Sequence, residues 1–414
     1  MTLTDAGQLV EPARIDRRTR NLEITARHVE LLRARSTDQH PDGPRWMPAT
    51  EFTDPELLRL ERARLRETPL VVAHGSQLPN PGSFHTERVL GVPVLLVRQA
   101  DGSVRAFLNS CAHRGARLLE GSGEVRARMV CGYHAWSYHP DGRLASVSQE
   151  HKFGGLDGGC TGLTELPCAQ RHGMVFTCLT PGRELDVDAF LGDLGPHLEL
   201  AALDELALAD RKLEDQRINW KVALSTYYES YHLKTVHAAT IGDHFIGNQS
   251  THEVFGPNGE HAVTTWAMAQ VKDLLELSDE QLAETTATFG PFLTVLFIFP
   301  NTVITSPDPG FMRMAHLIRV DPGATPSEQL TDFRVLTPPG LAGDAKAAID
   351  MFTAVTIHAL ENEDYFTGVG VQEALDSGIK DGLRIGANEP TLTDLYRAWA
   401  RWTGRADPDR PLAR

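Results

Sequence analysis

The sequence predicts an α+β protein: a small all-β domain, then a domain in which an antiparallel sheet wraps around a long C-terminal helix. Three observations carry this. From Leu70 to about Cys178, short apolar runs alternate with turns, as in VPVLLVRQADGSVRAFLNS, where Asp101-Gly102 separates two strand-like runs. Beyond Pro181, the runs HAVTTWAMAQV, FLTVLFIF, NTVITS, RMAHLIRV and TDFRVLT follow one another. After the break at Pro338-Pro339-Gly340 comes a long helical pattern, AKAAIDMFTAVTIHALENEDYFTGVGVQEAL.

In chain order, NLEITARHVELLRARS reads as a helix in an otherwise polar start. A second helix begins at TDPELLRLERARLRE, where Thr53 or Asp54 can cap and Pro55 suits the first turn. WSYHPDGRLASV repeats the hairpin pattern around Asp141 and Gly142. Helical character returns in DVDAFLGDLGPHLELAAL, KVALSTYYESYHLKTVHAA and SDEQLAETTATF. With 414 residues the chain exceeds one ordinary core. The expected division is an N-terminal helical segment (1–68) packing on the C-terminal domain, the β domain (69–180) and the C-terminal domain (181–414).

Composition narrows the function. Hydrophobic residues make up 41% and charged residues 23%, as in globular proteins, and no apolar run approaches membrane-spanning length. A net charge of −15 argues against nucleic acid or an anionic membrane as partner. The start of the chain lacks a secretory pattern, and five cysteines are no disulfide framework, so a cytoplasmic protein is expected.

Two Cys-His pairs stand out: Cys111 with His113, then Cys131 with His134, the halves 17 residues apart. Thiolate and imidazole ligands suit zinc or an iron–sulfur cluster and exclude magnesium or calcium. Zinc sites most often pair Cys with Cys and His with His. Here each loop donates one of each, as in a Rieske [2Fe–2S] centre, where two cysteines hold one iron and two histidines the other. With Trp136, Tyr138, Gly142 and Arg143 following, the segment resembles the Rieske signature of ring-hydroxylating oxygenase large subunits. Cys160, Cys168 and Cys178 have no partnered spacing and read as small buried hydrophobes.

A Rieske cluster only moves electrons, so the remaining chain should hold their consumer. NWKVALSTYYESYHLKTVH carries Glu229, His232 and His237 in a helical context. Glu229 and His232 share a face, whereas His232 and His237 diverge on an ideal helix unless it ends or distorts between them. Two histidines and a carboxylate form the facial triad of non-haem iron(II) oxygenases. Asn219-Trp220-Lys221 followed by Glu229, Tyr231, His232 and His237 resembles the mononuclear-iron segment of the same family.

The resemblance makes His232 and His237 iron ligands and places a carboxylate in the long C-terminal helix, where Glu361, Glu363 and Asp364 are available. Asp364 is chosen because Gln372 follows it by the family's spacing, with Glu363 the alternative. The resemblance gives Glu229 the role of a carboxylate between a cluster histidine of one subunit and an iron histidine of the next. It also implies a helix-grip (START-like) catalytic domain, a head-to-tail homotrimer, and electrons from a separate NAD(P)H-dependent reductase, with or without a ferredoxin. No dinucleotide fingerprint occurs in this chain.

The implied reaction is hydroxylation or dihydroxylation of an aromatic or other small organic substrate with O2. Demethylation of a quaternary ammonium compound is the alternative, since Glu at 229 is similar to the choice in carnitine-type members. Ser225-Thr226 replaces the Glu-Asn of many relatives, so no side-chain amide is expected near the iron. Tyr227, Tyr228, Trp266 and FLTVLFIF are the expected pocket lining, and Asp243 and His244 are expected to be structural or to support the ligands. Two other classes compete: an electron carrier without a second iron, and a zinc-stabilised binding module.

Overall fold

The structure is a computed structural model that describes residues 15–153, 162–308 and 310–412, together with the strand pair Thr2–Leu3 and Leu9–Val10. Cys160 lies outside the described residues. The chain forms two compact units, Arg62–Val187 and Met1–Glu61 with Asp188–Arg414. The boundaries expected at 68/69 and 180/181 therefore lie at 61/62 and 187/188. The first falls inside a helix, Pro55–Glu67, which Asp54 caps through the Glu56 N–H (2.8 Å).

Among its described residues the smaller unit is all β apart from short helical turns and the end of that helix. Its five-stranded sheet is built around Ser83–Val89, Val92–Arg98 and Val104–Leu108, paired antiparallel in sequence order. Both Asp-Gly turns occur where the sequence places them, with Gly102 and Gly142 each at φ 85°. A side chain at Gly142 would collide with the Phe107 ring, its Cβ 2.4 Å from Cε1. Leu95, Val97, Phe107, Met129, Trp136 and Tyr138 form the core, and Cys111 and Cys131 are buried within it.

The larger unit is organised by a seven-stranded antiparallel sheet. In chain order its strands are β1 (Ala207–Gln216), β2 (Phe245–Phe255), β3 (His261–Met268), β4 (Phe292–Ile298), β5 (Thr302–Pro307), β6 (Ala315–Pro322) and β7 (Gln329–Thr337). Their spatial order is β1-β7-β6-β5-β4-β3-β2. Register sets Trp266 opposite Leu293, Thr305 opposite His316, and Ile318 opposite Phe333. Trp266, Leu293, Ile318 and Phe333 join one apolar core with Ile349, Leu360 and Tyr365 of the long helical segment, which is how the sheet grips that helix.

The helices of this unit include α1 (Arg17–Arg33), α2 (Trp220–Ser225), α3 (Leu233–Val236), α4 (Gly343–Ala359), α5 (Tyr365–Asp376) and α6 (Pro390–Trp402). Among the described residues no helix is long and apolar enough to cross a membrane.

Asn219-Trp220-Lys221 is an anchor. Asn219 caps α2 through the Lys221 N–H (2.9 Å), and its own N–H donates to Gln372 Oε1 of α5 (3.1 Å). Trp220 Nε1 donates to Glu61 (3.0 Å), and fully buried Lys221 pairs with Glu61 at 2.7 Å and Glu51 at 3.4 Å. Arg405 also pairs with Glu51, so removing the lysine chiefly strands Glu61. Lys221→Ala is expected to lower unfolding free energy by about 3–5 kcal/mol, the cost of an uncompensated buried charge. Urea unfolding measures this; a loss below about 1 kcal/mol would show the cluster to be energetically neutral.

Candidate metal centres

The two Cys-His loops of the small unit share one backbone design. The Cys111 N–H donates to Ala116 O and the Gly115 N–H to Cys111 O, both at 2.8 Å. In the second loop the Cys131 N–H donates to Trp136 O (2.8 Å) and the Ala135 N–H to Cys131 O (3.0 Å). Each turn needs positive φ four residues after its cysteine: Gly115 at 75° and Ala135 at 58°. The loops thus offer matching cysteines, each 2% exposed and free of disulfide, while the imidazoles meet edge to face at 4.6 Å between centroids.

Tyr138 Oη lies 3.1 Å from Cys111 Sγ and accepts the Ala112 N–H at 3.0 Å. His134 Nδ1 is buried without a hydrogen-bond partner, as a nitrogen reserved for a metal would be. Burial, then the neighbouring His134, holds the His113 pKa below its ordinary value. These four donors do not converge as a single-ion site would. Among the described residues, the one such convergence is His232, His237 and Asp364, whose donor atoms all lie within 4.8 Å of one another. Four ligands spread over two loops suit a two-iron cluster better than one zinc ion.

In the second site the helix read through residues 221–239 is interrupted. α2 ends at Ser225, α3 begins at Leu233, and Glu229 and His232 lie in the break. His232 is the N-cap of α3 and His237 its C-cap, so the pair converges across one short turn. His232 Nε2 lies 3.6 Å and His237 Nε2 3.2 Å from Asp364 Oδ1. The opposite ring nitrogens are also held: His232 Nδ1 by Glu229, and His237 Nδ1 by Glu363 at 2.7 Å. Glu229 further accepts the backbone N–H groups of Tyr231 and His232, and Glu363 accepts Thr240 Oγ1–H at 2.6 Å. Carboxylates on both Nδ1 atoms fix the tautomer that presents Nε2 to a metal.

The carboxylates sort themselves by partner. Asp364 faces both Nε2 atoms, Glu363 supports His237 from behind, and Glu361 is turned to Lys212. What lets Glu363 and Asp364 reach the same histidine is a π-helical turn, Leu360–Asp364, between α4 and α5. The wider turn shifts register at the ligand position. Sequence periodicity did not reveal it. Gln372 ties α5 back to the Asn219 cap, which fixes the ligand helix against the histidine segment.

Other expectations fare differently. Tyr227, Trp266 and Leu293 line a cavity at the triad, whereas the Tyr228 ring packs on Phe297 in the core at 5.0 Å. Asp243 is an exposed partner of Lys234 (3.1 Å) and supports no ligand; His244 lines a separate outer cavity. Thr226 lines the inner cavity but spends its hydroxyl on Ala223 O (2.9 Å). Cys178 is buried and Cys168 half-buried, and burial pushes their thiols up to about 11 and about 12.

Burial depresses His232 and His237, but their carboxylate partners outweigh it and leave both pKa values raised. Without metal, these imidazoles contribute stability that is fully present below their unfolded pKa, near 6.5, and lost as pH rises through the folded values. Iron needs them neutral, so its slope is opposite. Iron(II) affinity is expected to rise with proton release as pH climbs from about 6.5 through the raised folded values of the two imidazoles. Calorimetry in buffers of different ionisation heat checks this; proton-neutral binding at pH 6.5 would contradict it.

The comparisons with known proteins follow the same division. Residues 68–169 match the Rieske [2Fe-2S] domain family, and residues 203–405 match the ring hydroxylating alpha subunit catalytic domain. The β unit with its paired Cys-His loops falls within the first match, and the sheet with its two-histidine, one-carboxylate site within the second. The chain belongs to the Rieske oxygenase family.

It is 31% identical over 201 residues to a carnitine monooxygenase oxygenase subunit from Acinetobacter pittii, covering 48% of this chain and 54% of that one. It is 30% identical over 204 residues to an anthranilate 1,2-dioxygenase large subunit from Acinetobacter baylyi, covering 47% and 43%. The matches thus span about half the length of these curated relatives. The fold is similar to the quaternary ammonium Rieske monooxygenase CntA in complex with L-carnitine (TM-score 0.72, 22% identity, 88% and 97% covered). It is also similar to naphthalene 1,2-dioxygenase from Rhodococcus sp. bound to indole (TM-score 0.69, 16% identity, 92% and 98% covered).

Proposed function

We propose that the chain is the terminal oxygenase component of a multicomponent system that hydroxylates or dihydroxylates a small organic substrate. Cys111, His113, Cys131 and His134 hold a [2Fe–2S] cluster; His232, His237 and Asp364 hold iron(II). The observation that carries this is the convergence of two Nε2 atoms on Asp364 Oδ1, each imidazole held from behind by its own carboxylate. When bound, these groups supply one-electron storage and oxygen activation. The chain's residues supply the rest: Glu229 and Glu363 fix tautomers, and the apolar lining excludes water.

A pure electron carrier has no use for the triad at His232, His237 and Asp364. Electrons come from a separate NAD(P)H-dependent reductase, directly or through a ferredoxin. The subunits form a homotrimer in which Glu229 faces a cluster histidine of a neighbouring subunit. A cytoplasmic setting keeps the thiols reduced, and the four described cysteines are free. Action on a quaternary ammonium compound is the second reading, favoured by Glu229 and by the carnitine-named relatives.

The test is oxygen uptake by the reduced protein across aromatics, aromatic acids and methylammonium compounds, with ¹⁸O2 traced into product. Uptake coupled to labelled product is expected from at least one class. A protein loaded at both sites that couples uptake to none would refute the proposal.

A further inference from the structure

We propose that Thr240 is a positioning residue that couples a second, outer cavity to the mononuclear site. An uncharged molecule with an apolar body binds in that cavity and, through Thr240 and Glu363, alters how His237 is held. The coupling rests on the oxygenase reading for the iron at His232, His237 and Asp364.

The outer cavity holds about 650 Å³ and the one at the triad about 60 Å³, with Ile241, Phe245 and Phe352 lining both. An engineered protein cavity of about 150 Å³ takes up benzene, so a molecule of that size or larger finds its room on the outer side. Ala239, Met268, Met351 and Val355 continue the outer wall, and among the described residues no lysine, arginine or carboxylate lines it. A charged guest would shed its water there with nothing in exchange. The polar side chains of the lining besides Thr240 are His244, Gln270 and His358, all exposed. The wall therefore selects a neutral molecule that buries an apolar body and leaves a polar end in water.

Thr240 lines this cavity and donates its hydroxyl to Glu363 (2.6 Å), the carboxylate that holds His237 Nδ1 at 2.7 Å. The same stretch is tied to the backbone of the ligand. The Thr240 and Gly242 N–H groups both donate to His237 O, at 3.0 and 2.8 Å. A Cβ at Gly242 would meet that oxygen at 2.7 Å and Leu233 O at 2.8 Å, so the turn around Ile241 is packed against the histidine segment without slack. Glu363 is also the neighbour of Asp364 on the π turn Leu360–Asp364. A molecule bearing on Thr240 and Ile241 thus reaches His237 through its backbone and its supporting carboxylate, and Asp364 through the shared turn.

The test uses anaerobic protein loaded with iron(II), its cluster oxidised, and 1-octanol as the probe. Calorimetry reads binding, and the electron paramagnetic resonance of the nitric oxide complex reads the iron. In wild type, octanol is expected to shift that resonance. Ala348→Phe, which fills the outer cavity from an exposed position on α4, should weaken octanol binding by about tenfold or more. Thr240→Val keeps the shape without the hydroxyl; it should bind octanol within about twofold of wild type yet show no shift, and Thr240→Ser should restore the shift. Should the valine variant not fold, Thr240→Ala carries the same expectation. An unshifted resonance in wild type with octanol bound would overturn the coupling. So would an equal shift without the hydroxyl, octanol binding that ignores Ala348→Phe, or no octanol binding at all. Failure of wild type to hold iron beyond its cluster would sink the oxygenase reading and the coupling with it, whereas bound iron with an unmoved resonance sinks the coupling alone.

Discussion

His232→Ala is expected to abolish oxygenation while leaving the visible spectrum of the Rieske cluster unchanged. The imidazole supplies one of three converging donors, and Glu229 and Asp364 are oriented through it. Loss of a supporting partner behind a ligand typically costs about 10–100-fold in affinity or activity, so loss of the ligand itself should exceed that. Iron content should fall by about one atom per chain with sulfide unchanged. The assignment of the two sites fails if the Rieske spectrum disappears with this substitution, since Cys111, His113, Cys131 and His134 all lie in the other unit.

Glu229→Gln should keep both metals and slow electron delivery to the second site. Glu229 accepts three hydrogen bonds, from His232 Nδ1 and from the backbone N–H groups of Tyr231 and His232. Glutamine retains one acceptor oxygen and no charge, so the arrangement survives in part while the electrostatic hold on the imidazole is lost. A slowing of about 10–100-fold is expected in reoxidation of the reduced cluster by oxygen, followed by its absorbance after rapid mixing. Wild-type rates in this variant would remove the coupling role of Glu229 and reduce it to a local cap for residues 231 and 232.

How much of this was legible in the sequence depended on whether the feature is local. Cys111, His113, Cys131 and His134 sit in hairpin-flanked loops whose turn residues are written in the chain, and the central strands β3 to β7 show as apolar runs. The strands that escaped notice, β1 and β2, are the two edges of the sheet. ALADRKLEDQ in particular carries charges where an inner strand would carry packing, because one side of an edge strand has no neighbour to pack against.

The division of labour between Glu363 and Asp364 was equally invisible to spacing. It depends on the π turn at 360–364, and an ideal helical wheel gives adjacent residues different faces. Gln372 was useful as a marker before its reason was apparent; the reason is its bond to the Asn219 cap, 153 residues away in the chain. Tyr228 was misassigned to the pocket because nothing local separates a lining tyrosine from a core tyrosine. The break after Ser225 puts Tyr227 on the cavity and turns its neighbour against Phe297.

The central claim, a cluster and a separate mononuclear iron on one chain, is tested most directly by quantifying iron and acid-labile sulfide in the purified, reconstituted protein. The account predicts about three irons and two sulfides per chain, with one iron lost selectively in His232→Ala. Two irons and two sulfides, unchanged by that substitution, would contradict it and leave an electron carrier.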